Sequence, residues 1–448
     1  MKKYFWRIFG CAMNYADAER VAQVLAKLDF VRTENLAEAE LVLLFSCAVK
    51  QKAEDKIFGE LEKFAQWKAA APGRQIGLTG CVVRQTSDQA TVRKDQFLRR
   101  APSLDFVWRI EDSEQLPEFL AGTEGLKSTN YKLPTTSFLS IEPLRQNQRQ
   151  VLVPISTGCD NFCSYCIVPH ARGRELSREP EEIITECEKA VRNGAREITL
   201  LGQNVNSFQK KPGAFAELLQ RVAAIPKLQR LRFMSSHPKD FDASIIDVMA
   251  AQENIERHLH LPAQHGDNEI LRKMNRNYTA EKYLGLLEKF RAKLPHASIT
   301  SDFIVGFPGE TEAQFENLLK FYKQADFDFA FFSQYSPRPD TAAATFPNQI
   351  PASVKKERFA RLNQLVVATT AQKFARLKNQ TVEVLVEKCN CHSPENGNPE
   401  KNESCICEGR SSEFYLTKFA GDAKLIGELV KVKITQPREV ELFGEILR

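Results

Sequence analysis

The chain has 448 residues, 43% of them hydrophobic and 27% charged. That is enough for two to three domains with cores of their own, at ~100–200 residues each, and it excludes a low-complexity or fibrous chain. No run approaches the ~20 apolar residues that span a bilayer, and a formal net charge of +5 is too small to argue by itself for an anionic partner.

The opening MKKYFWRIFGC carries two lysines, a short apolar run and a cysteine, the outline of an export signal. Arg7 interrupts the run, which is shorter than the ~7–15 residues of an export core, so the cytoplasm is the expected compartment. YFWRIFG (4–10) reads as a strand, 15–29 as an amphipathic helix, ELVLLFS (40–46) as a buried strand, 50–70 as a helix and QIGLTG (75–80) as a third strand. This βαβαβ pattern predicts a doubly wound α/β domain over 1–122. A cysteine follows each strand at once: Cys11, Cys47 and Cys81. Parallel strands would bring all three to the carboxyl edge of the sheet, where ligands bind.

Residues 123–150 are polar and aperiodic and read as a linker. From 151 the alternation resumes, with strands expected at 151–157, 197–202, 230–235, 258–263, 298–306 and 329–336 and helices between them. Six βα repeats predict a partial (βα)6 parallel barrel over 151–375, with function at the carboxyl ends of its strands. A long amphipathic helix is expected over 352–379. TVEVLVEK (381–388), FYLTKF (414–419) and ELVKVKITQ (428–436) then predict a small all-β domain over 376–448.

GCDNFCSYC (158–166) places Cys159, Cys163 and Cys166 at C-x3-C-x2-C, one glycine past the first barrel strand. Eleven cysteines are too sparse for a disulfide scaffold, and in a reducing compartment such spacing points to metal binding or catalysis. A structural zinc site wants four ligands. His170, four residues past Cys166, could complete a Cys3His set. The other reading is a four-iron cluster with one iron left open for S-adenosylmethionine (SAM).

That arrangement resembles the radical-SAM superfamily. LLGQNVNSF (200–208), SSHPKDF (235–241), LHLPAQHG (259–266), MNRNYTAEKY (274–283), DFIVGFPGET (302–311), YSPRP (335–339), GCAMN (10–14) and SCAVKQKAEDKIFGEL (46–61) are similar to its methylthiotransferase branch. LLGQNVN and RGRELSR are closest to the MiaB type, which modifies tRNA. The resemblance covers essentially the whole chain and implies a C-terminal TRAM domain.

It also implies two 4Fe-4S clusters, a radical-SAM cluster on Cys159, Cys163 and Cys166 and an auxiliary cluster on Cys11, Cys47 and Cys81. The implied reaction uses two SAM molecules, one as methyl donor and one as source of a 5′-deoxyadenosyl radical, to place a methylthio group on C2 of N6-isopentenyladenosine at position 37 of tRNA. Alternatives are the same chemistry on N6-threonylcarbamoyladenosine, and RimO-type modification of an aspartate on a ribosomal protein. The implied partners are the anticodon loop of tRNA and a flavodoxin- or ferredoxin-type electron donor; no membrane contact is expected, and the chain is expected to be a monomer.

Gly202, Gln203 and Asn204 end the second barrel strand, Gln264 follows the fourth, and Gly306, Pro308 and Gly309 follow the fifth; these are the expected SAM-binding residues. His265 stands where the family usually has a small hydroxyl residue. Arg172 and Arg174 are the expected phosphate- or carboxylate-recognising arginines. Asp17, Glu19 and Glu34 read as surface residues and Cys187 as an inert buried thiol. No catalytic residue is assigned beyond the cluster ligands.

The C-terminal domain departs from expectation in two ways. Residues 380–448 hold nine Lys and Arg against twelve Asp and Glu, a net of −3, which is poor for an RNA clamp; Phe414 and Tyr415 remain as residues that could stack on a base. CNCHSPENGNPEKNESCIC (389–407) carries two C-x-C pairs. Residues i and i+2 of a strand share a face, so Cys389, Cys391, Cys405 and Cys407 are the expected ligands of a zinc clip.

Overall fold

The computed structural model describes residues 1–48, 51–83, 100–121, 127–128, 137–391 and 405–447. Its contacts divide the chain into two units, Met1–Leu218 with Ser336–Thr345, and Leu219–Tyr335 with Phe346–Arg448.

The first unit begins with β1 (Lys2–Phe9), α1 (Ala12–Ala26), β2 (Phe30–Arg32), β3 (Leu41–Ser46), α2 (Gln51–Ala69), β4 (Gln75–Gly80), β5 (Phe106–Val107), α3 (Leu116–Ala121) and β6 (Lys127–Ser128). The six strands form one parallel sheet in the order β2-β1-β3-β4-β5-β6. Alternate side chains point to opposite faces. Tyr4, Trp6, Leu43 and Phe45 pack with Val21 and Leu25 of α1, whereas Phe5, Val42 and Leu44 pack with Ile57, Leu61 and Phe64 of α2. Helices therefore cover both faces, which is why these strands read as continuous apolar runs.

The same unit continues with β7 (Gln150–Pro154), β8 (Ser156–Thr157), α4 (Val168–Arg172), β9 (Leu176–Ser177), α5 (Pro180–Arg192) and β10 (Glu197–Leu201). β10 pairs parallel with β7. β8 and β9 form an antiparallel ribbon, with Thr157 opposite Leu176, and this ribbon clamps both ends of the cysteine-bearing loop.

Part of the segment expected to be a linker is packed. Phe138 and Leu139 belong to the core around Trp108, and the Leu144 amide donates to the Glu19 carbonyl at 2.9 Å. Residues 123–126 and 129–136 lie outside the described set. The polarity of this stretch has a structural use. Arg145, Arg20 of α1 and Arg178 converge on the Glu186 carboxylate of α5, at 2.5, 3.0 and 2.7 Å. Burial works against charge on Glu186, and the three guanidinium groups outweigh it, holding its pKa below the ordinary carboxylate value.

In the second unit, after α6 (Ala214–Ala223), come β11 (Arg230–Phe233), α7 (Ala243–Ala251), β12 (His258–His260), α8 (Asn268–Lys273), α9 (Ala280–Lys293), β13 (Ser298–Val305), α10 (Glu312–Ala325), β14 (Phe329–Gln334) and α11 (Ala352–Ala375). β13 lies between β12 and β14, all parallel. Phe303, Phe321, Phe327 and Tyr283 pack edge-on or tilted behind it. The expected barrel strands all exist, one to three residues shorter than the apolar runs at their carboxyl ends, where the chain turns into loops.

The unit closes with a barrel in the order β15-β16-β17-β19-β18, formed by β15 (Thr381–Cys391), β16 (Cys405–Ser411), β17 (Leu416–Gly421), β18 (Leu429–Pro437) and β19 (Leu442–Ile446). Two of these strands, β16 and β19, lie outside the strands expected from the sequence. β16 turns small residues inward, with Cys405, Cys407 and Ser411 buried. β19 is broken by Gly444, whose place against the Lys433 carbonyl leaves no room for a side chain, since a Cβ there would stand 2.4 Å from that oxygen.

The zinc clip is corrected here. Cys389 pairs with Cys407 and Cys391 with Cys405 in disulfides, each joining directly opposite residues of β15 and β16. The C-x-C residues do share a face, but antiparallel register points each thiol at its cross-strand partner, leaving no set of thiolates for an ion.

Removing Glu186 would leave three buried cations facing one another. Glu186→Ala is expected to cost about 3–5 kcal/mol in denaturant unfolding, against under about 1 kcal/mol for Glu188→Ala, whose partner Arg192 is exposed. The Glu186 contribution is present above the unfolded carboxylate range, about pH 4.3, and is lost as pH falls below it. Equal effects of the two substitutions would contradict this account.

Candidate active site: two loops of three cysteines

Cys11 sits two residues past the end of β1, and Cys47 and Cys81 sit one residue past the ends of β3 and β4. These strands are neighbours, and the sheet order reverses between β1 and β3, the switch point where ligands bind in such sheets. The three turns interlock. Asn14 folds back so that its Oδ1 accepts from the Cys11 amide at 3.3 Å. Gly10 makes room for this side chain, since a Cβ there would stand 2.1 Å from Asn14 Oδ1. Gly80, at φ +96°, packs on Ser46 just before Cys47, where a Cβ would stand 2.4 Å from the Ser46 carbonyl oxygen.

Cys47 and Cys81 are buried and Cys11 is exposed. Burial pushes the Cys81 thiol up to about 12; nearby Arg172 works in the opposite direction, and Cys47 and Cys11 add to the rise. The three sulfurs thus lie in one another's field.

Asp17 and Glu19, read from sequence as surface residues, are buried at 0% and 9% exposure. Glu19 Oε1 accepts from the Gln146 amide. Asp17 Oδ2 accepts from Arg172 Nη2 at 2.5 Å, and Arg172 Nε donates to Cys81 Sγ at 3.1 Å. Arg172 is 2% exposed, so the carboxylate it recognises is the buried Asp17 of this chain, and the expectation of a phosphate or substrate contact there is corrected to a buried partner of the cysteine site. The partner of Asp17 lies 155 residues away, and only the tertiary contact reveals the pair.

Cys159, Cys163 and Cys166 lie in the loop clamped by β8 and β9. Cys159 and Cys163 are buried and Cys166 is half-buried. The Cys159 amide donates to the Gly173 carbonyl at 3.1 Å and the Cys166 amide to the Cys163 carbonyl at 2.9 Å. Asp160 closes the loop, accepting from Arg174 Nε at 2.6 Å and the Glu175 amide at 3.1 Å. Burial opposes ionisation of Asp160, and the bonds from Arg174 and Lys210 overcome it, lowering its pKa to about 2. Burial raises the Cys159 thiol to about 11. Gly158, at φ +74°, lies so close to the returning chain that a Cβ would stand 2.1 Å from the Arg174 carbonyl oxygen.

Beside this loop, Gly202 leaves space that a Cβ would fill to 2.7 Å from Ser156 Oγ. Ser156 Oγ and Gln203 Oε1 are buried without a hydrogen-bond partner, and Asn204 is 1% exposed. Ser156 was missed from sequence, where a lone serine in a strand carries no signal. His170 is exposed, and among the described residues no three His, Cys, Asp or Glu side chains close around a single metal ion.

In the second unit, Gln264 has φ +68° and bonds through its backbone to Asp302 and Ile304 of β13. The loop bearing Gly306, Pro308 and Gly309 is organised by the buried Glu310 carboxylate, which accepts from the Gly306 amide at 2.9 Å and Arg358 Nη1 at 2.8 Å. His265 is fully buried with Nε2 3.3 Å from Glu310 Oε2. Phe414 and Tyr415 are corrected as base-stacking residues. The Phe414 ring stacks on His258 at 4.6 Å, with the Arg232 and Arg410 guanidinium groups each 4.7 Å from its centroid. Tyr415 packs on Phe374 and donates to Asp328 Oδ1. Cys187 is fully buried, which raises its thiol pKa.

Residues 153–322 match the radical SAM superfamily model, and residues 3–99 match the model described as uncharacterized protein family UPF0004. A tRNA-2-methylthio-N(6)-dimethylallyladenosine synthase of Halalkalibacterium halodurans is 38% identical over 453 residues, covering 100% of this chain and 81% of that protein. One of Clostridium botulinum is 38% identical over 449 residues, covering 99% of this chain and 96% of that protein. The chain belongs to this family of radical-SAM methylthiotransferases. Among solved structures, the radical SAM methyltransferase TsrM of Kitasatospora setae aligns with TM-score 0.54 at 16% identity over 77% of each chain, a likeness of fold.

The donor set of this family member suits the iron–sulfur cluster and SAM of a radical-SAM enzyme. Cys159, Cys163 and Cys166 offer three thiols on one loop, and two buried polar atoms, Ser156 Oγ and Gln203 Oε1, stand unpartnered beside them. Gly158→Ala combines a left-handed backbone, costing at least about 1 kcal/mol without glycine, with a clash on a carbonyl oxygen. The variant is expected to lose the cluster of this loop, read as iron content against the parent and against alanine variants of Cys159, Cys163 and Cys166; parental iron content would contradict the tight packing of this turn.

Proposed function

We propose that this chain transfers a methylthio group to C2 of N6-isopentenyladenosine at position 37 of tRNA, using two 4Fe-4S clusters, one on Cys159, Cys163 and Cys166 and an auxiliary one on Cys11, Cys47 and Cys81. The observation that carries the reading is the presence of two sets of three thiols in one structural unit, one on three turns at the carboxyl ends of parallel strands and the other on a single loop. A single open cluster would serve radical formation alone; delivery of sulfur calls for a second.

An aromatic C–H has no acidic proton for a general base, so SAM and the clusters supply the hard chemistry: a radical at one site and sulfur at the other. The chain's own residues hold and shield. Gly158 and Gly202 let the loop pack tightly on the Arg174 carbonyl and on Ser156, and Ser156 Oγ and Gln203 Oε1 offer polar partners to a ligand. Burial of Cys47, Cys81, Cys159 and Cys163 keeps water from both sites. Gln264, Gly306, Pro308 and Gly309 are assigned to SAM on family resemblance, and Arg174, 70% exposed at its side chain, to tRNA. The working partners are the tRNA anticodon loop and a flavodoxin- or ferredoxin-type reductant, with the chain a cytoplasmic monomer. Among the described residues no helix is long and apolar enough to cross a membrane.

Mass spectrometry of nucleosides from total tRNA, with and without the gene, tests the substrate. The methylthio-isopentenyl nucleoside should vanish and its unthiolated precursor accumulate; loss of the threonylcarbamoyl analogue instead would overturn the substrate and keep the chemistry. Alanine at Cys159, Cys163 or Cys166 should reduce SAM cleavage to 5′-deoxyadenosine to background, and cleavage persisting in those variants would refute the role of that loop.

A further inference from the structure

We propose that Arg172 is a positioning residue for the auxiliary cluster, donating a hydrogen bond to the Cys81 sulfur while Asp17 holds its guanidinium in place. The inference rests on the auxiliary-cluster reading above and goes beyond it by assigning a residue that ligates no iron.

Arg172 sits at the last turn of α4, six residues past Cys166, in the segment that follows the radical-SAM cysteines. Its side chain turns away from that loop. Nε reaches Cys81 Sγ at 3.1 Å and Nη2 reaches Asp17 Oδ2 at 2.5 Å, with both side chains of the ion pair at most 3% exposed. The fork of a guanidinium spans two acceptors at a fixed angle. Asp17 belongs to α1, whose N-cap is Cys11. One buried ion pair therefore links the Cys81 turn to the helix that begins at Cys11.

The next residue faces the other site. The Gly173 carbonyl accepts from the Cys159 amide, and Gly158 packs against the Gly173 and Arg174 carbonyls. Apolar contacts run beside the polar ones, with Ala48, Cys81, Ile167 and Ala171 forming a buried cluster of their own. The Arg172–Gly173 pair thus contacts both cysteine loops, by side chain on one side and backbone on the other.

Three thiolates bring negative charge into a buried place, and a permanent cation there favours the more reduced, more negative state of a cluster. Hydrogen bonds to sulfur and local charge are established levers on cluster potential. A salt bridge with a merely structural role would change folding stability and leave the potential alone.

The test uses the full chain with Cys159, Cys163 and Cys166 all replaced by alanine, so that iron loads only through Cys11, Cys47 and Cys81. The readouts are iron content, the EPR spectrum of the reduced cluster and its midpoint potential by redox titration. Arg172→Gln is expected to load iron with a midpoint shifted to more negative potential and an altered spectrum. Arg172→Lys, which keeps the charge and loses the fork, should fall between Arg172→Gln and the parent. A parental potential and spectrum in an iron-loaded Arg172→Gln would overturn the proposal. Should Arg172→Gln hold no iron, Arg172→Lys decides, a shifted potential supporting the proposal and a parental one overturning it. If the parent with arginine in place loads no iron at all, the auxiliary-cluster reading falls, and this proposal with it.

Discussion

Three thiols can be brought to one edge of a sheet from three separate strands only if those strands run the same way and their ends lie side by side. The parallel order β2-β1-β3-β4 meets that condition, because β1, β3 and β4 are adjacent. Much else in the first unit follows. The chain must turn sharply after each strand, so Gly10 and Gly80 stand where no side chain fits. Helices must cover both faces, so the strands are apolar on both sides. The cysteine edge is then the part of the sheet free for chemistry.

Buried charge is the second constraint. Arg20, Arg145 and Arg178 converge on Glu186, and Arg172 pairs with Asp17 beside Cys81. Such pairs offset a large desolvation cost only when geometry and partners are good. Their stabilising value relative to an apolar packing is small, but they specify which helix meets which loop. In this unit the specified contacts fix α1 against α5 and the Cys81 turn against α4, which keeps the two cysteine loops in register.

The C-terminal barrel shows the same economy with aromatic rings. Phe414 and Tyr415 open an expected strand and could stack on a base, yet one stacks on a histidine and the other bonds Asp328. The two C-x-C pairs cross-link β15 to β16, at the end of the hairpin where its ladder would otherwise fray. The acidic net charge of the domain is consistent with these internal uses of its few aromatic and cationic groups.

The sequence by itself determined the alternation of strands and helices, the C-x3-C-x2-C loop and the three cysteines that follow strands. These are local signals: apolar periodicity, a glycine at a turn, a thiol at a fixed offset. It also carried the resemblance to methylthiotransferases, because the motifs are short contiguous runs. Strand order, the burial of Asp17 and Glu19, and the turn of Arg172 toward Cys81 were decided only in the tertiary structure. So were β16 and β19, whose inward residues are small or interrupted by glycine, and the disulfide register of the C-x-C pairs. Each of these depends on which distant segment arrives as partner, and a partner 155 residues away leaves no period or spacing in the chain to read.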